Sequence, residues 1–423
     1  MQLLSVLKIM NYSSGIILLG SVMIIIIIDL LTVAGIRALI PNFKRNNQII
    51  VYSLLWSVTA FIIIFVTYQF ANPTQIRSAK VYSRVYFITG CVAIFYFPKI
   101  LFIAMAIADD LFYYIFIWLI RRLGYLKRFK RRLYLHKTGV VLGSVLMVLI
   151  LYGISVGRFQ YKINRQTLYF KDLPKKFDGF RIVHLSDIHT GGFYEHTDKL
   201  QQWLSAASNE KPDLILISGD FVSYFAEEFD GLENIFYSLQ APYGQLAVLG
   251  NHDYADYYTW RTFAEKSANV QQLVRNLRYV GIKVLRNETM MIHKDSDKIA
   301  IVGVENWGPP PFQQYGDLSS AMYGVPDSVF KILLSHNPKH WEEQVKGKVS
   351  VPLTLSGHTH AMQMGVKIGS FQWSPASFLY KYWSGLYEEN GQYLYVNQGL
   401  GYVGFPFRIG VPAEITVLTL KRK

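Results

Sequence analysis

Five short segments of this 423-residue chain end in side chains that can hold a cation or move a proton. Asp187 and His189 close "RIVHLSDIH", Asp220 closes "DLILISGD", and Asn251, His252 and Asp253 close "LAVLGNHD". His336 ends "FKILLSH", and His358 and His360 end "VPLTLSGHTH". Carboxylates, imidazoles and an amide oxygen suit borderline divalent ions such as Mn, Fe or Zn better than they suit an all-oxygen Ca or Mg cage. Cys91 is the only cysteine, so a cysteine-based metal site and an intramolecular disulfide are both excluded. Each segment alone has an ordinary explanation, such as a turn at Gly219-Asp220 or a hydrogen-bonded core histidine at 336, because buried polar groups normally find partners. Five of them, each at the end of an apolar run, point to one shared site.

The apolar runs are what must position these groups. They are short and rich in Val, Ile and Leu, and with "KIAIVGVEN" and "EITVLTL" they read as buried strands of a layered sheet. Helical periodicity is expected over 197–209 and 259–278. Ligands of open α/β sheets collect beyond the carboxyl ends of the strands. Five strands delivering polar tips to one edge would therefore gather the groups into a single pocket. Alternation along the end of the last run would aim His358 and His360 to the same side.

Asp187-x-His189, Gly219-Asp220, Gly250-Asn251-His252-Asp253, the isolated His336 and Gly357-His358-x-His360 resemble the motif set of the calcineurin-like metallophosphoesterases. "LPKKFDGFRIVHLSDIHTG", "LLSHNP" and "GLGYVGFPFRIGVPAEITVLTL" are similar to its bacterial membrane-anchored branch. The resemblance covers roughly residues 160–420. It implies a four-layer α/β/β/α sandwich, two divalent metal ions and hydrolysis of phosphoesters. Carried across, it gives Asp187, His189 and His360 to one ion and Asn251, His336 and His358 to the second, with Asp220 as the bridge. Such a pair activates a water and polarises a phosphoryl oxygen. His252 adjoins the ligand Asn251 without being needed as a ligand, and so is expected to protonate the leaving group. Asp253 is expected to orient its ring. Glu305 and Asn306 also follow an apolar run, but with the ligand set already full they read as structural.

Half the chain is hydrophobic, 51%, and the excess lies near the N-terminus. Apolar segments at 15–36, 49–70, 85–120 and 138–157 are each long enough to span a bilayer. The third is either one long helix leaving the membrane near Asp109-Asp110 or two segments around Pro98. The first reads as a span and not as a cleaved signal peptide, since arginine and three more apolar segments follow it. The chain thus divides into a membrane region over 1–157 and a globular domain over 158–423.

The formal charge of +14 belongs to the membrane region. Residues 1–160 carry 17 Lys or Arg against Asp29, Asp109 and Asp110, which leaves 26 basic and 26 acidic residues beyond. The globular part is therefore neutral, and no nucleic-acid partner is expected. The basic segment "RRLGYLKRFKRRLYLHK", 121–137, marks a cytoplasmic loop. The fourth span then delivers the domain to the outer face of the inner cell membrane, and the N-terminus lies outside with it.

These features predict a membrane-anchored phosphodiesterase or phosphatase, with a lipid or envelope phosphoester as its expected substrate. Alternatives are a pyrophosphate hydrolase of a nucleotide-linked acylated sugar and a non-catalytic membrane sensor or binding module. Residues 362–387 hold Phe371, Trp373, Phe378, Tyr380, Tyr382 and Trp383, with Lys367 and Lys381. They read either as a loop packed on its own domain or as a membrane-facing lip. Arg408 is a further candidate contact to phosphate.

Overall fold

A computed structural model of the chain describes residues 12–71, 79–124, 132–310, 313–369 and 371–423. Residues 125–131 of the basic segment lie outside the described residues. The chain forms two compact units.

The first unit contains the helices Tyr12–Leu39, Arg45–Ala71, Ala79–Arg122 and Tyr134–Ser155, each long and apolar enough to cross a membrane. The third runs through Pro98 unbroken, so the long apolar segment is one helix. The unit's buried ionisable groups Asp29, Lys99 and His136 are paired within the bundle. Asp29, 1% exposed on the first helix, accepts from Lys99 Nζ at 2.5 Å and the Tyr96 hydroxyl at 3.0 Å on the third. It also accepts from the Thr59 hydroxyl on the second. His136 of the fourth helix meets Asp109 of the third at 3.0 Å. Ionisable groups persist in such helices when they face inward and pair.

The second unit is built on two six-stranded sheets and a small ribbon. In the first sheet the order is β1 (Tyr161–Phe170), β14 (Ala413–Arg422), β2 (Arg181–Leu185), β3 (Leu214–Ile217), β4 (Gln245–Ala247) and β5 (Ile282–Val284). All its pairings are parallel except β14 with β2. The second sheet has β12 (Gly385–Glu389), β13 (Gln392–Val396), β9 (Leu353–Ser356), β8 (Phe330–Ser335), β7 (Asp297–Val304) and β6 (Glu288–Lys294). Its four inner strands run parallel and its two edge strands antiparallel. A separate ribbon pairs β10 (Val366–Ile368) with β11 (Phe371–Trp373).

Period-two alternation makes four layers of this. Ile182, Leu214, Leu216 and Leu246 of one sheet pack on Ile299, Ile301, Ile332, Leu334 and Leu355 of the other. Val183, Leu185, Ile215 and Ile217 point the opposite way, onto Leu200, Trp203 and Leu204 of the helix Thr197–Asn209 and Leu273 and Leu277 of the helix Phe263–Tyr279. Val302, Leu333 and Leu394 bury against Trp341 and Val345 on the far side. Each fully buried Leu or Ile contributes about 1.5–3 kcal/mol by leaving water. The order is helix, sheet, sheet, helix. The five strands expected at one sheet edge in fact come from two sheets, β2, β3 and β4 from one and β8 and β9 from the other.

Candidate metal centre

The loops leaving those five strands carry all nine candidate residues. Asp187 and His189 follow β2, Asp220 follows β3, Asn251 to Asp253 follow β4, His336 follows β8, and His358 and His360 follow β9. Two trios of ligand-type atoms form, Asp187 with His189 and His360, and Asp220 with His336 and His358. In the first, His189 Nε2 lies 3.1 Å from His360 Nε2, which lies 3.2 Å from Asp187 Oδ1. In the second, His336 Nε2 is 3.0 Å from Asn251 Oδ1, 3.1 Å from Asp220 Oδ2 and 3.2 Å from His358 Nδ1. The same Asp220 oxygen is 3.8 Å from His189 Nε2, so one carboxylate stands between the trios.

Such convergence tests whether cations fit. His336 Nδ1 meets the Ser218 carbonyl oxygen at 2.7 Å and must donate to it, because a carbonyl only accepts. Neutral His336 therefore presents a lone pair from Nε2 toward an amide oxygen, a carboxylate oxygen and another imidazole nitrogen. Lone pairs gathered in this way need a shared cation, either a proton or a metal ion, and the donor set fits divalent ions. With protons alone, burial disfavours charge on His336, but the Asp220 carboxylate overrides it and holds the imidazole at about 9. Burial and the neighbouring His336 push His358 down to about 3. Burial would raise Asp220, yet His336 and His252 hold its carboxyl well below the usual range.

The backbone is bent to serve this geometry. Asp187, His189, Asp220, His358 and His360 all have positive φ, from 47° to 71°. Left-handed non-glycine residues cost roughly 1–3 kcal/mol each and cluster where function demands them. A Cβ on Gly250 would collide with Asp220 Oδ1, and one on Gly357 with Asp187 Oδ2. Only glycine allows the strand ends so near the carboxylates. His358 and His360 lie beyond β9 on this left-handed backbone, and one imidazole goes to each trio. They reach the one centre from these bends and not by alternation along a strand.

Asp253 also departs from its expected role. Its Oδ2 accepts from the main-chain N–H of Asp220 at 2.8 Å and of Gly250 at 2.9 Å. Its Oδ1 accepts from Phe221 at 2.8 Å and Val222 at 3.2 Å. It ties the Asp220 loop to the Asn251 loop. His252 is held instead by the Ser223 carbonyl, which accepts from Nδ1 at 2.9 Å. Its ring packs edge-on to His189 at 5.0 Å and beside Tyr257 at 4.9 Å.

Three further side chains complete the surroundings. The Tyr380 hydroxyl is 2.9 Å from His358 Nε2, and Asn251 Nδ2 donates to the Tyr257 hydroxyl at 2.9 Å, which turns Asn251 Oδ1 toward His336. Burial and the Asp220 charge raise the Tyr257 phenol well above its usual value, so it stays a neutral acceptor. Buried Glu228 accepts from the N–H groups of Ser223, Tyr224, Phe225 and Gly191, joining the loops that carry Asp220 and His189. The only signal of Glu228 in sequence is an acid soon after the Asp220 segment. Tyr380 stood out only as part of the aromatic segment 362–387, and Tyr257 gave no signal, since aromatic residues are common in such loops.

Arg408 is no phosphate contact. Its buried guanidinium donates to the carbonyls of Gln398, Gly399, Gly401 and Val411 and fastens the loop before β14. Glu305 is structural, as expected, accepting from the Tyr254 hydroxyl at 2.5 Å and Arg286 Nε at 2.7 Å.

A family model described as "Calcineurin-like phosphoesterase" matches residues 180–362. Another, described as "Probable Calcineurin-like phosphoesterase, transmembrane domain", matches residues 13–158. The chain is 32% identical over 256 residues to the metallophosphoesterase YkuE of Bacillus subtilis, a match spanning 59% of this chain and 82% of that one. A metallophosphoesterase of Helicobacter pylori is 27% identical over 417 residues, 96% of this chain and 99% of the relative. The UDP-2,3-diacylglucosamine pyrophosphatase LpxG of Chlamydia trachomatis is 27% identical over 314 residues, 62% of this chain and 90% of the relative. With the motif loops of both sheets gathered together and such a match to YkuE, this membrane protein belongs to the calcineurin-like metallophosphoesterase family.

Proposed function

We propose that this chain is a membrane-anchored two-metal phosphoester hydrolase, with a membrane region over 1–157 and a catalytic domain over 158–423. The observation that carries the reading is the Asp220 carboxylate, 3.1 Å from His336 of one trio and 3.8 Å from His189 of the other. Asp187, His189 and His360 would hold one divalent ion, Asn251, His336 and His358 the second, and Asp220 both. Mn, Fe and Zn suit these donors. Bound there, the pair would supply Lewis acidity toward a phosphoryl oxygen and a more acidic water.

The chain itself supplies the proton donor and the rigidity. With Nδ1 donating to the Ser223 carbonyl, His252 has a proton on Nε2 only as the imidazolium, and in that form it would give this proton to the departing oxygen and be left neutral. Asp253 and Glu228 hold the loops in place around it. Tyr257 and Tyr380 fix the second polar atom of Asn251 and of His358, so each presents the other atom to the centre.

The basic segment 121–137 favours the cytoplasm, which supports an extracytoplasmic catalytic domain at the inner membrane acting on a lipid or envelope phosphoester. The similarity to LpxG supports a second reading, hydrolysis of a pyrophosphate in a nucleotide-linked acylated sugar. Such a sugar is expected in the cytosol, so the topology argument favours the first.

The test uses the full chain in lipid with added Mn, assayed on an aryl phosphodiester, an aryl phosphomonoester, phospholipids and a nucleotide-diphosphate sugar. Turnover should disappear in Asp220→Ala together with metal. His252→Ala should keep its metal and lose about 10²–10⁴-fold in turnover. Hydrolysis of none of these substrates with Mn, Fe or Zn overturns the reading, as does full turnover in Asp220→Ala.

A further inference from the structure

The segment just after the last candidate ligand leaves the body of the domain. From His360 the chain passes through left-handed Ala361, Met362 and Gln363 and then forms the β10–β11 ribbon, which pairs with neither main sheet. The ribbon is fixed at its base. Ser374 donates through its hydroxyl to the Ala361 carbonyl at 2.5 Å, and Gly365 N–H donates to the Ile409 carbonyl at 3.0 Å. Beyond it, the Tyr380 hydroxyl returns to His358. Both ends of the projecting segment are thus attached to the centre.

Register gives the ribbon two unlike faces. Val366 pairs with Trp373 and Ile368 with Phe371, so these four side chains share one face, while Lys367 and Gln372 share the other. The apolar face is uncovered, with Ile368 72% and Phe371 61% exposed. Phe378, 78% exposed, extends it through a ring contact with Trp373 at 6.2 Å, and Leu379 adds to it. By contrast Tyr382 and Trp383 are buried in the domain, so the aromatic segment divides into a packed part and a projecting part. An isolated two-stranded ribbon is marginal in water, and a large uncovered apolar face marks a surface that meets something.

We infer that the apolar face of the β10–β11 ribbon, with Phe378 and Leu379, is a lipid-docking surface that seats on an anionic bilayer and hands lipid phosphoesters to the neighbouring centre. Delivery rests on the proposed hydrolase function, whereas docking does not. Three observations favour a bilayer as the occupant. The chain leaves its fourth membrane helix at Ser155 and enters β1 at Tyr161, so lipid is always within a few residues of the domain. Lys367 lies on the exposed polar face of the ribbon, and Lys381, paired with Glu389 at 3.4 Å, still leaves its side chain 61% exposed, which suits anionic headgroups. Trp, Phe and a lysine on opposite faces are the composition of elements that lie in the headgroup region.

The experiment reconstitutes the full chain in nanodiscs of phosphatidylglycerol and phosphatidylethanolamine doped with a diazirine-acyl phospholipid. Crosslinks are mapped by mass spectrometry, with the membrane helices as internal control. The wild type should be labelled between 362 and 381. The triple variant Ile368→Ser, Phe371→Ser, Phe378→Ser should lose that label and keep the helix labels. It should hydrolyse a soluble aryl phosphoester at the wild-type rate and a limiting lipid phosphoester about tenfold or more slowly. No label on the ribbon, or lipid turnover unchanged in the variant, overturns the inference. If the wild type hydrolyses no phosphoester at all, the hydrolase reading falls, while the labelling still decides docking.

Discussion

Asp253→Asn separates two accounts of the Asn251-His252-Asp253 triplet. In the structure each carboxylate oxygen receives two main-chain N–H groups, at 2.8 and 2.9 Å on one side and 2.8 and 3.2 Å on the other. An asparagine keeps the shape but replaces one oxygen with a donor. Two buried N–H groups then face another N–H group, and each unsatisfied donor costs about 1–3 kcal/mol, so the loss is about 2–6 kcal/mol. Burial and the Asp220 charge push the Asp253 carboxyl above its usual value, so the charged form is held at some cost, and losing that charge draws the result toward the lower end. For a domain of this size that corresponds to a fall in Tm on the order of 5–20 °C. Because the affected loops carry Asp220 and Asn251, metal content should fall with stability. The assay is thermal unfolding of the detergent-solubilised chain, followed by fluorescence, beside metal analysis of the same samples. If Asp253 instead served to orient His252, the variant would keep its Tm and its metal while turnover slowed and its pH profile moved. That result would refute the clamp.

Other perturbations probe the remaining parts. Gly357→Ala places a Cβ against Ser186 Oγ and Asp187 Oδ2, and should cost about 1–3 kcal/mol with metal lost first from the Asp187 trio, as read by metal titration. Tyr380→Phe removes the partner of His358 Nε2 and should weaken metal affinity about 10–100-fold at unchanged Tm. His340, buried between Ser335 Oγ at 2.8 Å and Gln344 Oε1 at 3.1 Å, is held down at about 4 by burial. The unfolded chain takes up its proton below about 6.5 and the folded chain only near 4, so stability should fall by about 3 kcal/mol as pH drops through that window. Unfolding of His340→Asn followed across the same window should show a shallower loss.

The sequence made the candidate site legible because each run of Val, Ile and Leu ended in its polar group, and the loops that carry all nine residues do come together, from both sheets. It also revealed the membrane helices, whose length and apolarity need no partner to be recognised. What it hid was pairing. Nothing in the runs told that β8 and β9 belong to a different sheet from β2, β3 and β4, since strands buried on both faces look alike. Strands β1, β12 and β13 escaped notice because exposed or polar residues interrupt them. Adjacency misled at Asp253, which lies beside His252 in the chain but turns to the main chain of another loop. His358 and His360 do reach the centre, but from left-handed backbone beyond β9 and not by the alternation a strand would have kept. Arg408 looked like an anion binder until its burial among carbonyls showed where its donors go.

The most direct test of the central claim is a count of bound Mn in the purified full chain, wild type and Asp220→Ala, taken with turnover on an aryl phosphodiester. The account predicts two ions per wild-type chain, fewer in the variant, and turnover lost with them. A wild-type chain that hydrolyses the diester after its metal has been stripped by a chelator would contradict it, as would an Asp220→Ala chain that still binds two ions and turns over.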